Sequence, residues 1–316
     1  MFSRDDADAL RAGLQPFDFA KTLDPDPLTQ RYLEHYRIDF PDLQTRHSFG
    51  YIDTHGFRLA AHCFRPSCAP KGSLFILHGY FDHSGLYRHV IRHALEQGLV
   101  VFIFDFPGHG LSTGEQASID DFVQYRMALT DCVCLAEDAG LPRPWYLLGQ
   151  SKGGAVAMDY VLHAATQRRD SPPPVFDHQY LLGPLVRPRR WWRLRIMFAL
   201  RGRFMETIPR RFTFNSSDME FLEFLREHDP LQPRIIASKW IASLIRWQDV
   251  FHAYPPCSVP TTVFQGDNDG TVDWRYNLRQ LRTKFTDLEV IILPEGRHHL
   301  ANEVEPLRKK ILRRIP

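Results

Sequence analysis

Cysteine is scarce: five residues, at positions 63, 68, 132, 134 and 257, are scattered through 316. That is too few for a disulfide scaffold, and an odd count leaves one thiol unpaired, so reduced thiols are the simpler expectation. Long apolar runs are missing as well. The longest, Leu99–Phe104, falls far short of the roughly 20 residues that cross a bilayer, and no transmembrane helix is expected. The opening Met1-Phe2-Ser3-Arg4-Asp5-Asp6 has neither the basic start nor the apolar stretch of a secretory signal, which sets the cytoplasm as the expected location. Nor does one sign of charge dominate. With 39 Lys and Arg against 37 Asp and Glu, the formal charge is +2, so no global field draws nucleic acid.

What is present fits a globular chain. Hydrophobic residues make up 44% and charged residues 24%, which excludes disorder, collagen-like repetition and coiled coil. From residue 46 onward, strand and helix patterns alternate, and this predicts a mostly parallel sheet with helices on both faces. His47 to Asp53 and Phe57 to Arg65 flank Thr54-His55-Gly56 and read as an antiparallel hairpin. Short apolar runs at Ser73–Leu77, Leu99–Phe104, Trp145–Leu148, Tyr180–Leu182, Thr261–Phe264 and Val290–Leu293 read as strands covered on both faces. Helical spacing lies between them, and Pro27–Tyr36 predicts a short helix within the first 45 residues, which are expected to pack on the outside of the core. The alternation breaks from Pro184, within a proline-rich stretch that reads as a segmented helical insertion. The expected division is an extension over 1–45, an α/β core over 46–183 and 259–316, and a helical cap over 184–258.

Gly149-Gln150-Ser151-Lys152-Gly153 fits G-x-S-x-G between a strand and a helix, where a sharp turn lifts the serine hydroxyl out of the sheet. The competing reading is a plain helix start capped by Ser151. A serine needs a base oriented by a carboxylate, and in this architecture both follow it in chain order. Two later strands end suitably. One runs into Asp267, Asp269 and Asp273, the other into His298 and His299.

At these residues the chain resembles the α/β-hydrolase superfamily, and within it the monoacylglycerol lipase and lysophospholipase group, sometimes filed with serine aminopeptidases. The resemblance rests on Leu77-His78-Gly79-Tyr80 with Asp82-His83-Ser84-Gly85, on Asp105-Phe106-Pro107-Gly108-His109-Gly110-Leu111-Ser112, on the serine turn, and on the two later loops. It implies an α/β-hydrolase fold with a cap, and hydrolysis of small lipid esters without a cofactor. By position it implies Asp269 as the orienting acid. The base falls on His298 by ungapped register from Leu293-Pro294 to Asn302-Glu303, or on His299 if three residues are counted on from Gly296. The fold implies an oxyanion hole from the backbone N–H groups of Tyr80 and Lys152. The family commonly has His and Met around the serine. Here Gln150 and Lys152 stand there, and the Lys152 ammonium must find water or a partner.

Other patterns carry less. His89 and His93 have zinc-pair spacing, but Val90 occupies the place of the glutamate, and no metal is expected. An EF-hand register over the acidic loop would start at Gln265 and end at Tyr276, which are poor ligands. Cys132 and Cys134 read as core packing within a helix. Nine arginines between Arg187 and Arg211 face one acid, Glu206, with Trp191, Trp192, Phe198 and Phe204 interleaved. That mixture suits peripheral contact with an anionic membrane, or an acyl-binding cap over Ser151. A solvated cap face fits equally, and no nucleic-acid partner is expected because no reading module surrounds the cluster. Oligomeric state is not legible. Peptidase, thioesterase, carbon–carbon hydrolase and silent binding relatives are the alternatives within the fold.

Overall fold

Alternate residues of the apolar runs turn to opposite faces, as a strand's period of two requires. In the computed structural model, which describes residues 2–167, 176–201 and 205–316, Val100, Phe102 and Phe104 join one buried cluster while Leu99, Val101 and Ile103 join another. The strands are β1 (Arg46–Thr54), β2 (Phe57–Arg65), β3 (Gly72–Leu77), β4 (Leu99–Phe104), β5 (Trp145–Gln150), β6 (His178–Leu182), β7 (Thr207–Pro209), β8 (Ile235–Ala237), β9 (Thr261–Gly266) and β10 (Leu288–Leu293). Eight of them form one sheet in the order β1-β2-β4-β3-β5-β6-β9-β10. Strand β2 runs antiparallel to both β1 and β4, and all later neighbours are parallel. The chain steps from β3 to β4 on one side and then to β5 on the other. The crevice at the carboxyl ends of β3 and β5 is therefore the switch point where open sheets place their sites.

Helices cover both faces. The helices α1 (Arg4–Gly13), α2 (Pro27–Tyr36) and α3 (Arg88–Glu96) bury apolar residues with one cluster, while α4 (Val123–Asp138) and α5 (Lys152–Thr166) bury theirs with the other. Helix α1 escapes a search for apolar periodicity because it buries little beyond Ala7 and Leu10. Its signal lies in the cap: Ser3 Oγ accepts from Asp6 N at 3.1 Å while Asp6 Oδ2 accepts from Ser3 N at 2.9 Å, a reciprocal capping box.

Between β6 and β9 lie α6 (Trp191–Arg201), α7 (Met219–Glu223) and α8 (Ser238–Ala253). This insertion is not purely helical. Strands β7 and β8 pair antiparallel within it, from Thr207↔Ala237 to Pro209↔Ile235, because β-branched Thr207, Ile208, Ile235 and Ile236 suit a pleated ribbon. The chain closes with α9 (Trp274–Lys284) and α10 (Glu305–Leu312). One expectation is corrected here. Cys132 is buried but Cys134 is exposed, since residues two apart on a helix point to different faces. All five cysteines are free.

The turn from β5 into α5 is built on small residues. A Cβ on Gly153 would lie 2.0 Å from the Leu77 carbonyl oxygen, and one on Gly149 would lie 2.6 Å from that of Gly153. Backbone cannot yield as a flexible side chain can. Gly153→Ala is expected to destabilise the fold by about 1–3 kcal/mol, the usual cost of overpacking, read as a lower urea midpoint. An unchanged midpoint would show that the strand and helix can separate freely.

Candidate active site

Ser151 occupies the turn with φ 54° and ψ −110°, a backbone conformation that a non-glycine residue holds only when its surroundings enforce it. Its N–H donates to Leu182 O, and its carbonyl accepts from Ala155 N and Leu185 N. With the backbone so fixed, the hydroxyl faces His298, and Oγ lies 2.8 Å from Nε2. On the far side of the ring, Nδ1 lies 2.8 Å from Asp269 Oδ2. The carboxylate accepts a hydrogen bond from Nδ1–H, which leaves the Nε2 lone pair for the serine hydroxyl.

Asp269 is anchored in turn. Its Oδ1 accepts from the backbone N–H groups of Thr271 and Val272, and Gln265 Nε2 donates to Oδ2. Burial disfavours its charged form, but His298 and these backbone donors prevail and hold it below its ordinary 3.8. Burial likewise works against a charged His298, and the Asp269 carboxylate outweighs it, leaving His298 above its ordinary 6.5. The neighbouring acids do other work. Asp267 Oδ1 accepts from Glu295 N, while Asp273 caps α9 through Tyr276 N and pairs with Arg187.

His299, the other histidine, is spent elsewhere. Its Nε2 meets Asp82 Oδ1 at 3.1 Å, and Asp82 Oδ2 accepts from Gly79 N and from the Tyr87 hydroxyl. Burial penalises the Asp82 charge, yet His299 and Tyr87 hold its carboxyl well below the usual range. This pair braces the loop that carries Tyr80. His109 braces it too, its Nε2 lying 2.6 Å from Tyr80 O, while the Tyr80 ring stacks on Trp240 at 3.7 Å. The Tyr80 and Lys152 backbone N–H groups find no acceptor among the described residues.

The Lys152 side chain is fully buried. Its Nζ stands 4.2 Å from the Phe106 ring centre, 4.7 Å from that of Tyr125 and 3.4 Å from His109 Nε2. Burial pushes its pKa well below 10.5. Its partners within the fold are the rings of Phe106, Tyr125 and His109. Two anchors of the histidine loop had no motif to announce them. Gln150 Nε2 donates to His298 O, and the Asn215 carbonyl accepts from both His298 N and His299 N.

Of the aromatic residues singled out in the insertion, Trp191 is buried with the core, Phe198 is half-buried against it, and Trp192 is exposed. Phe204 lies outside the described residues. Among the described residues no group of three or more His, Cys, Asp or Glu is placed to hold a metal, and no helix is long and apolar enough to cross a membrane. His89 Nε2 accepts from Arg88 Nε, and His93 Nε2 meets Ile315 O.

A parallel sheet with its antiparallel β2, a strained serine after β5, an acid after β9 and a histidine after β10 together define an α/β-hydrolase. Residues 68–305 match the family profile described as serine aminopeptidase, S33, and the chain belongs to that family of hydrolases. It is similar to the monoglyceride lipase homolog of monkeypox virus, 28% identical over 261 residues, spanning 80% of this chain and 90% of that one. To the monoglyceride lipase of Rattus norvegicus it is 25% identical over 269 residues, spanning 81% and 84%. The fold is shared with a soluble variant of monoglyceride lipase from Saccharomyces cerevisiae, at TM-score 0.70 and 16% identity over 84% of this chain and 92% of that one. It is also shared with the monoacylglycerol lipase of Paleococcus ferrophilus, at TM-score 0.67 and 18% identity over 84% and 97%.

Proposed function

We propose that the protein is a serine hydrolase of carboxylic esters of lipid type, monoacylglycerol or lysophospholipid, working through an acyl-enzyme. The observation that carries this reading is the chain Ser151–His298–Asp269, linked at 2.8 Å and 2.8 Å. The lipid ester as substrate is supported by the relatives named monoglyceride lipase. Ser151 Oγ attacks the ester carbonyl while His298 Nε2 takes its proton, and Asp269 stabilises the imidazolium that forms. The oxyanion is received by the Tyr80 and Lys152 N–H groups, each worth about 3 kcal/mol. His298 returns the proton to the leaving alcohol, and water releases the acyl group by the same steps in reverse order.

The test is a panel of monoacylglycerols, lysophospholipids, thioesters and aminoacyl amides at equal concentration. Fatty-acid release from the lipid esters should exceed every other cleavage. Faster cleavage of the aminoacyl amides would favour the peptidase reading that the family description suggests.

The pH profile follows from the base. Only neutral His298 accepts the serine proton, and its pKa in the fold is raised above 6.5. Activity is therefore lost as pH falls through that raised value. The acid limb of kcat/KM is expected to have its midpoint above 6.5, and a midpoint well below it would remove Asp269 as the partner that raises it.

Part of this reading is peripheral contact with membranes. Trp192, Ile196 and Leu200 are exposed on α6 at spacings of four residues, which puts them on one helix face. Exposed Arg189, Arg190, Arg193 and Arg195 lie around them. Replacing the three apolar residues with serine should abolish flotation with anionic liposomes. Unchanged flotation would remove α6 as the contact.

A further inference from the structure

Arg210, in the insertion beyond β7, has its guanidinium 3.9 Å from the ring centre of Phe81 and 4.4 Å from that of Phe212. Its Nη1 donates to Gln232 Oε1 and Pro233 O. Its Nε and Nη2 have no acceptor, and no carboxylate lies within 4.0 Å, among the described residues. Burial disfavours the charge and pushes its pKa down to about 10, against the pull of Asp82 and Asp229. Both of those acids are already spent. Asp82 serves His299, Tyr87 and Gly79, while Asp229 serves His83, Tyr36 and Gln232. A second guanidinium, Arg234, lies 4.9 Å from the same Phe212 ring and adds repulsion.

An unpaired cation taken largely out of water is costly unless something anionic arrives. Arg210 also helps line a cavity of about 380 Å³ walled by Phe212, Phe214, Met219, Leu222 and Leu225, with exposed Glu223 and Arg226 at its edge. That volume is of small-molecule size. The cavity is tied to the candidate site through Asn215, a lining residue whose carbonyl accepts from His298 N, while the Phe81 ring under Arg210 follows Tyr80 directly in sequence.

We propose that this cavity is a subsite for the alcohol half of the substrate, in which Arg210 binds a phosphate or carboxylate and so selects anionic lipid esters over neutral ones. The proposal rests on the ester-hydrolase reading. Nε and Nη2 present the parallel donors that such an oxyanion accepts bidentately.

The test compares oleoylglycerol 3-phosphate with monooleoylglycerol, which share an acyl chain, in the wild type, Arg210→Met and Arg210→Lys. The wild type should prefer the anionic ester. In Arg210→Met, kcat/KM for the anionic ester should fall about tenfold to a hundredfold further than for the neutral one, the range of a charged hydrogen-bonded pair, with Arg210→Lys between. Equal losses, or no preference in the wild type, would overturn the proposal. Should Arg210→Met not fold, wild-type labelling by a fluorophosphonate decides: glycerol 3-phosphate should slow it, and glycerol should not. Equal slowing by the two, or slowing by inorganic phosphate as strong as by glycerol 3-phosphate, would overturn a headgroup subsite. Absence of labelling and of turnover on both esters is a different failure, that of the hydrolase reading. Calorimetric titration with glycerol 3-phosphate then tests Arg210 alone: heat of binding in the wild type with affinity weakened in Arg210→Lys supports it, and no heat in the wild type or equal affinity in the two overturns it.

Discussion

Ser151→Ala is expected to lower kcat/KM for a monoacylglycerol by about 10⁴-fold or more, because nothing else at the site supplies a nucleophile aimed at the carbonyl. The turn that strains Ser151 is kept by the hydrogen bonds of its own backbone to Leu182, Ala155 and Leu185. Alanine retains those bonds, so the loss should come in kcat with the melting temperature unchanged or higher. Adding His298→Ala to this variant should cost almost nothing more, since the two groups act as a unit. Multiplicative losses would mean that His298 works on its own, and retained turnover would mean that another residue attacks.

The second large effect separates two adjacent histidines. His298→Ala should cost about 10⁴-fold on its own, whereas His299→Ala should cost about tenfold or less in rate. His298 lies between Ser151 Oγ and Asp269 Oδ2, while His299 is bound to Asp82. Loss of His299 leaves the buried Asp82 carboxylate short of its hydrogen-bonding partner, so this variant should show its defect as a lowered melting temperature. The reverse pattern, activity lost with His299 and kept without His298, would transfer the role of base to the neighbouring ring.

Much of this arrangement was legible in the sequence because it depends on local rules. Apolar runs bounded by Gly, Pro and Asp become the strands, from Leu99–Phe104 without change of boundary to Trp145–Leu148, which extends to Gln150. G-x-S-x-G between strand and helix places Ser151 on a turn that only small neighbours permit. Sequence register alone separates His298 from His299 weakly, because adjacent residues in a loop can each be swung toward a target. Their separation is made by long-range partners: Gln150 and Asn215 hold the loop backbone, and Asp82 holds one ring.

Other features had no local pattern to betray them. Helix α1 carries its signal in the Ser3–Asp6 cap rather than in an apolar stripe. The β7–β8 pair joins two three-residue segments some 25 residues apart across a proline-rich stretch. The resting place of Lys152 between Phe106, Tyr125 and His109 is set by three segments that meet only in the fold. Arg210 was visible as one of nine arginines, but that it lacks a carboxylate partner is a fact of three dimensions.

The most direct measurement is the site of covalent capture. The protein is treated with a fluorophosphonate at neutral pH, digested, and the adduct mapped by tandem mass spectrometry. One phosphonylated residue, Ser151, should appear, with labelling that fades as pH falls through the raised pKa of His298. An adduct on any other serine, or none while ester turnover persists, would contradict the account.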